Sequence, residues 1–168
     1  MKKPATLIAM CSAAGVLCVT SALAQTKAPS TSEFVMKVAM SDMTEIQMSE
    51  LALGKQPDAD TKPFAERMVK DHEQTSKELK TLVDSGKVKA TLPNTLDTEH
   101  QRELDDLKGK TGKDFDRAYD QAQLKAHEQA VMLFEAYAGS GDNPDLKAWA
   151  AKTLPHLQEH LAMAKKLT

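Results

Sequence analysis

Along residues 115–138, FDRAYDQAQLKAHEQAVMLFEAYA, the side chains of Phe115, Tyr119, Ala122, Ala126, Ala130, Leu133 and Tyr137 recur at helical spacing. That spacing gathers them on one face of an amphipathic helix about six turns long. His127 falls on the shoulder of this face, beside Val131 and Phe134. Three other stretches carry the same kind of stripe. One runs Phe34, Val38, Glu45, Met48 or Ser49, and Ala52; the next Phe64, Met68, His72, Thr75, Leu79 and Leu82; the last Leu146, Trp149, Ala150, Thr153, Leu157, His160, Leu161 and Ala164. Each combines an apolar face with a polar residue near its middle.

The ends of these helices are also written in the chain. Ser30 and Glu33 form a capping box, in which each side chain satisfies the other's free backbone donor. Gly54 is placed to take the left-handed conformation at the end of the first helix. Asp60 or Thr61 caps the second, with Pro63 tolerated in its first turn, and Gly86 lies near its end. A long connection, 86–111, holds a short helix at about 98–108 carrying Leu104 and Leu107. Gly139-Ser140-Gly141 ends the central helix, expected over 114–138. Asn143-Pro144 opens the last, where Pro155 removes a backbone hydrogen bond and predicts a kink. No strand pattern competes. The expected fold is all-α, a ferritin-like four-helix bundle with a short extra helix in the long crossover between helices two and three.

Residues 1–24 stand apart. Lys2 and Lys3, a mostly apolar run over 7–19 and the small-x-small site Ala22-Leu23-Ala24 have the form of a secretory signal, with an apolar core too short to span a bilayer comfortably. Cleavage near Ala24 would leave a periplasmic or secreted chain with a loose arm at 25–31 and a bundle domain at 32–168. Cys11 and Cys18 both lie in the signal and follow Met10 and Leu17, where a lipid-attachment site wants Gly or Ala. The mature chain then has neither a disulfide nor a thiolate ligand. Without Lys2 and Lys3, 20 basic residues face 24 acidic ones, a net charge of −4. The signs are interspersed along the helices, so no basic stripe points to nucleic acid, and no second apolar run points to a membrane span.

Several segments in order carry a resemblance: Phe34…Glu45…Leu51-Ala52, Met68-Val69-x-Asp71-His72 with Glu78-Leu79, Phe115-Asp116-x-x-Tyr119 with His127 and Phe134-Glu135, and Leu154-Pro155 with His160-Leu161. Over roughly the whole mature chain this resembles an exported bacterial family, domain of unknown function 4142, grouped with ferritin-like bundles. The resemblance implies the bundle and an extracytoplasmic location. It implies no reaction.

The candidate chemistry lies at the helix midpoints. With helices starting near 32, 60, 114 and 143, Glu45, His72, His127 and His156 come to a common depth, and His160 lies roughly 6 Å further along the axis. On the helical wheel Glu45, His72 and His160 point inward, whereas His127 and His156 sit nearer the edge. Depth favours His156; direction and the resemblance favour His160. One carboxylate and two or three imidazoles converging in a dry core can bind a divalent metal ion. The competing reading is a metal-free buried polar pair of Glu45 with one histidine. A ferritin-type di-iron centre is disfavoured, because the Glu-x-x-His positions before His72 and His160 hold Val69 and Leu157. The H-x-x-E-H string 156–160 reads as coincidence, with Glu159 a surface charge. Asp71, Glu78 and Glu128 read as helix-surface charges or as partners of neighbouring lysines.

Met36, Met40 and Met43 line the face of the first helix opposite Glu45. They can bind copper(I) through soft sulfur, but such stripes more often pack against a connecting helix or a second subunit. No serine, cysteine or glycine-rich loop stands in a nucleophile or phosphate-binding context. Two functions follow: a non-enzymatic exported bundle that binds an envelope partner or a metal, and a metal-dependent redox protein using Glu45, His72, His127 and His160.

Overall fold

The computed structural model describes residues 27–168. The signal segment at 1–24 and the start of the arm lie outside the described residues. Five helices follow in order: α1 (Thr31–Gly54), α2 (Thr61–Asp84), α3 (Thr98–Lys108), α4 (Gly112–Ser140) and α5 (Pro144–Leu167). The chain among the described residues is all-α, as its periodicity requires. α1 pairs closely with α2 and α4 with α5. These two hairpins meet along α1–α4 and α2–α5, and α3 lies against α1 and α4.

Local chemistry fixes the ends. Glu33 accepts the Ser30 amide at 2.9 Å while Ser30 Oγ accepts the Glu33 amide at 3.4 Å, completing the expected capping box. Asn143 Oδ1 accepts the Leu146 amide, and its Nδ2 donates to the Lys87 carbonyl, so the cap of α5 also holds the crossover. Three expectations need correction. Gly54 stays helical, and the left-handed residue is Gln56, at φ 55°. Asp58, rather than Asp60, accepts the free amides of Asp60 and Thr61 at the start of α2. α4 runs on through Gly139 and Ser140, stopping only where Gly141 comes so close to the Tyr137 ring that a Cβ would lie 2.5 Å from it.

Within the methionine stripe, packing against the connection between helices two and three is the reading that Met40 follows. Met40 is buried, and its sulfur accepts the Asp97 amide at 3.4 Å, so this residue packs against the crossover. Met43 is half-buried, and Met36 alone of the three is largely exposed. The three do not form one open face for a partner.

Two apolar clusters make the core. One joins Phe34, Val35, Val38, Leu79, Phe134, Tyr137, Leu146, Trp149 and Leu157. The other joins Met48, Ala52, Phe64, Met68, Leu104, Leu107, Phe115, Tyr119 and Ala164. On every long helix a buried polar group falls between the residues given to the two clusters: Asp42 and Glu45 on α1, His72 on α2, Gln123 and His127 on α4, His160 on α5. The bundle therefore has two greasy halves separated by a polar storey.

Phe34 anchors the first half. Its ring stacks on Tyr137 at 4.0 Å and meets Phe134 edge-on at 5.1 Å. Tyr137 in turn shares hydrogen bonds with Thr31 and Asp142, tying the start of α1 to the end of α4. Phe34→Ala should therefore lower the unfolding free energy by about 3–5 kcal/mol, the range for emptying a well-packed aromatic site. Urea denaturation measures this, and a loss of under about 1 kcal/mol would contradict the assigned packing.

Candidate metal centre

The polar storey is built around three imidazoles. His72 from α2, His127 from α4 and His160 from α5 have ring centroids 5.4–5.6 Å apart, close to an equilateral triangle. One ring nitrogen of each lies within 4.8 Å of the others. All three residues are buried. Helical spacing explains the convergence: each histidine lies one turn from a residue packed in an apolar cluster, Met68, Val131 and Ala164 respectively, on the same inward face.

Each ring is oriented by one partner. His72 Nδ1–H donates to Asp42 Oδ1 at 2.9 Å, and Ser76 holds the other carboxylate oxygen at 3.1 Å. His127 Nδ1–H donates to the Gln123 carbonyl, one turn back on its own helix, at 2.8 Å. His160 Nε2–H donates to Asp71 Oδ2 at 2.9 Å, and that oxygen also accepts Arg67 Nε at 3.1 Å. These bonds fix the tautomers. The remaining nitrogens, His72 Nε2, His127 Nε2 and His160 Nδ1, are buried without a hydrogen-bond partner among the described residues. Three lone pairs are thus left in the interior, one on each ring of the triangle.

Glu45 lies in the same layer, 3% exposed, with Oε2 also lacking a partner. Burial pushes its carboxyl above the usual range, and the neighbouring His72 opposes that. The Glu45 oxygens do not join the group of ligand atoms formed by the three rings. His156 is exposed at the rim of the α2–α5 groove and stands outside the triangle. Direction, and not depth, decides between the two histidines of this helix. His127, expected near the edge of its stripe, is only 1% exposed. Glu159 is the surface charge its position suggested, paired with Arg67 at 2.8 Å.

Two partners of the rings, Asp42 and Gln123, were not singled out from the chain. Asp42 lies three residues before Glu45 on the same face of α1, a spacing that marks it in retrospect. Asp71, expected as a surface charge, is held by Arg67 but faces His160 as well.

Electrostatics set the rings apart. Burial works against a charged His72, but Asp42, with Glu45 and Asp71 beyond it, outweighs that and raises its pKa. Burial, reinforced by His72, brings His127 down to about 4. His160 also falls to about 4, burial there overcoming the upward pull of Asp71. Both rings stay neutral in the folded protein until near pH 4, whereas the unfolded chain takes up these protons near 6.5. Their contribution to stability is complete above 6.5 and is lost as pH falls from there through 4. Between those limits the metal-free protein should lose more stability than a His127→Gln/His160→Gln variant. Nitrogen NMR at pH 5.5 should show His127 neutral with its proton on Nδ1 and His160 neutral with its proton on Nε2. Imidazolium signals from these two rings would contradict the assignment.

No helix among the described residues is long and apolar enough to cross a membrane. Solved structures with a similar fold include CopM in the Cu(II)-bound form, at 21% identity and TM-score 0.67, covering 83% of this chain and 95% of that one. CopM in the Cu(I)-bound form is similar at 22% identity and TM-score 0.64, covering 82% and 94% respectively. At such identities the likeness carries the fold alone. No curated protein matches the chain. The model of the family described as Domain of unknown function (DUF4142) matches residues 18–167, nearly the full length, and the chain belongs to that family.

Proposed function

We propose that this protein is an exported, non-enzymatic metal-binding bundle that holds one copper ion on His72, His127 and His160. The observation that carries this reading is the set of three buried ring nitrogens left without partners. Interior polar groups are ordinarily satisfied, and each unsatisfied one costs about 1–3 kcal/mol. Three of them on facing rings form a ligand set for one ion.

The donor chemistry narrows the ion. Three imidazoles with no thiolate suit copper, zinc, nickel or iron. Among divalent ions such a site binds copper most tightly, zinc less so. Copper is also the metal named for the two CopM structures of similar fold. Asp42, Asp71 and the Gln123 carbonyl act behind the ligands, fixing each ring and making it more basic. When bound, the ion supplies a positive charge that the buried Asp42 and Glu45 are placed to balance. Export follows from the signal-like residues 1–24 and puts the site in the envelope or outside the cell.

The competing redox function has less support. Val69 and Leu157 occupy the positions where a di-iron centre needs glutamates, and Leu157 is packed in the apolar core.

The untagged mature chain should bind one Cu(II) per molecule in calorimetric titration, with zinc weaker. His72→Ala, His127→Ala and His160→Ala should each abolish stoichiometric binding, and His156→Ala should not. Asp42→Asn and Asp71→Asn should weaken affinity by about 10–100-fold, the usual cost of removing a ligand's own partner. Binding that survives loss of all three histidines would refute the site.

A further inference from the structure

The three-histidine layer can be approached from two sides, and they differ. Between α2 and α5 a groove of about 550 Å³ reaches His160 and Asp71. Its acidic groups are already engaged. Asp71 accepts from His160 and Arg67, while Glu78 accepts from Trp149 Nε1 at 3.0 Å and pairs with Lys152. His160 turns its N–H, not its lone pair, toward Asp71. Arg67 spans this groove from Asp71 to Glu159, setting a fixed positive charge beside the ring. A cation gains little there.

Between α1 and α4 lies a larger cleft of about 730 Å³. It stays open because α4 turns Ala118, Ala122, Ala126 and Ala130 toward it, a row of small side chains one turn apart. Around it stand Glu99, Glu103 and Asp106 of α3, together with Lys37, Lys110 and Lys125, the last paired with Glu103 at 3.5 Å. Deeper in, the cleft touches Glu45 and His72. Glu45 Oε2 is buried without a partner among the described residues, as is His72 Nε2. The cleft thus leads to a buried carboxylate with the Gln123 side chain beside it, and then to an unpartnered ring nitrogen.

The geometry points to Glu45 as a transfer ligand at the throat of the α1–α4 cleft, where an incoming divalent transition-metal ion docks before passing to the histidines. This inference rests on the proposed three-histidine site and adds its route of access. The carboxylate takes over part of the ion's hydration shell while the ion is still outside the triangle. The three rings then replace it. Glu45 acts as a kinetic ligand, not as a member of the final set.

The test is stopped-flow mixing of the mature chain with Cu(II), following quenching of Trp149, the single tryptophan. Glu45→Gln should slow association by about tenfold, the lower end of what a charged group focusing an ion into a cleft contributes. Ala126→Phe, which fills the cleft, should slow association and dissociation alike by about tenfold or more and leave the equilibrium affinity unchanged. Ala126→Leu is the milder plug if the larger one disturbs folding, as circular dichroism would show. His156→Phe, on the α2–α5 side, should leave both rates as they are. Rates within twofold of wild type for Glu45→Gln and both plugs, or slowing by His156→Phe, would overturn the route while leaving the three-histidine site intact. Absence of any histidine-dependent quenching in the wild-type chain would instead remove the site and the route together.

Discussion

The bundle depends on a conflict inside its own core. Four amphipathic helices could close on a continuous apolar interior, yet this chain interrupts it with a layer of imidazoles and carboxylates. The layer survives because each ring is held by one strong acceptor and because two well-packed apolar halves clamp it from either end. Asp42, Asp71 and the Gln123 carbonyl hold the rings in one tautomer apiece, which leaves the opposite nitrogens bare. A purely structural polar network would spend those lone pairs on neighbours, since a half-satisfied network is less stable than an apolar one. Here each ring is oriented on one side and bare on the other, which is the arrangement the proposed metal site requires.

The distribution of partners explains how the site is kept rigid. α1 contributes no histidine, yet Asp42 braces His72 from across the α1–α2 hairpin and Ser76 braces Asp42 in turn. Asp71 on α2 does the same for His160 on α5, and Arg67 holds Asp71 from one turn back. His72 is thus tied across one hairpin, His160 across the seam between the two hairpins and His127 within its own helix, and on each helix the apolar residues a turn away fix the height. Packing and hydrogen bonding specify the same geometry, so the triangle does not rely on any single element.

Much of this was legible in the chain because helices announce themselves by period. The stripes of Phe34–Ala52 and Phe64–Leu82 placed Glu45 and His72 inward, and the capping box at Ser30 and the cap at Asn143 marked helix starts that the structure keeps. The limits are equally physical. A wheel with ideal spacing set His127 at the edge of its stripe, but two hairpins closing on a square interior bury a wider arc than one face, and His127 is fully enclosed. Depth along α5 depends on how the helix is set against its neighbours, so counting from its start could not choose between His156 and His160; facing direction could. Asp42 escaped notice and Asp71 was read as a surface charge because an acidic residue on a helix is ordinarily solvated, and only the tertiary pairing shows which ones turn toward a ring.

The decisive property is the identity of the atoms that touch the ion. X-ray absorption at the copper edge, on protein loaded with one equivalent of Cu(II), reports those atoms directly. The prediction is a first shell of nitrogen and oxygen scatterers with the outer-shell signature of three imidazoles and no sulfur. A sulfur shell from the Met36–Met43 face of α1, or fewer than two imidazoles, would show that copper binds elsewhere and that the buried triangle is not its site.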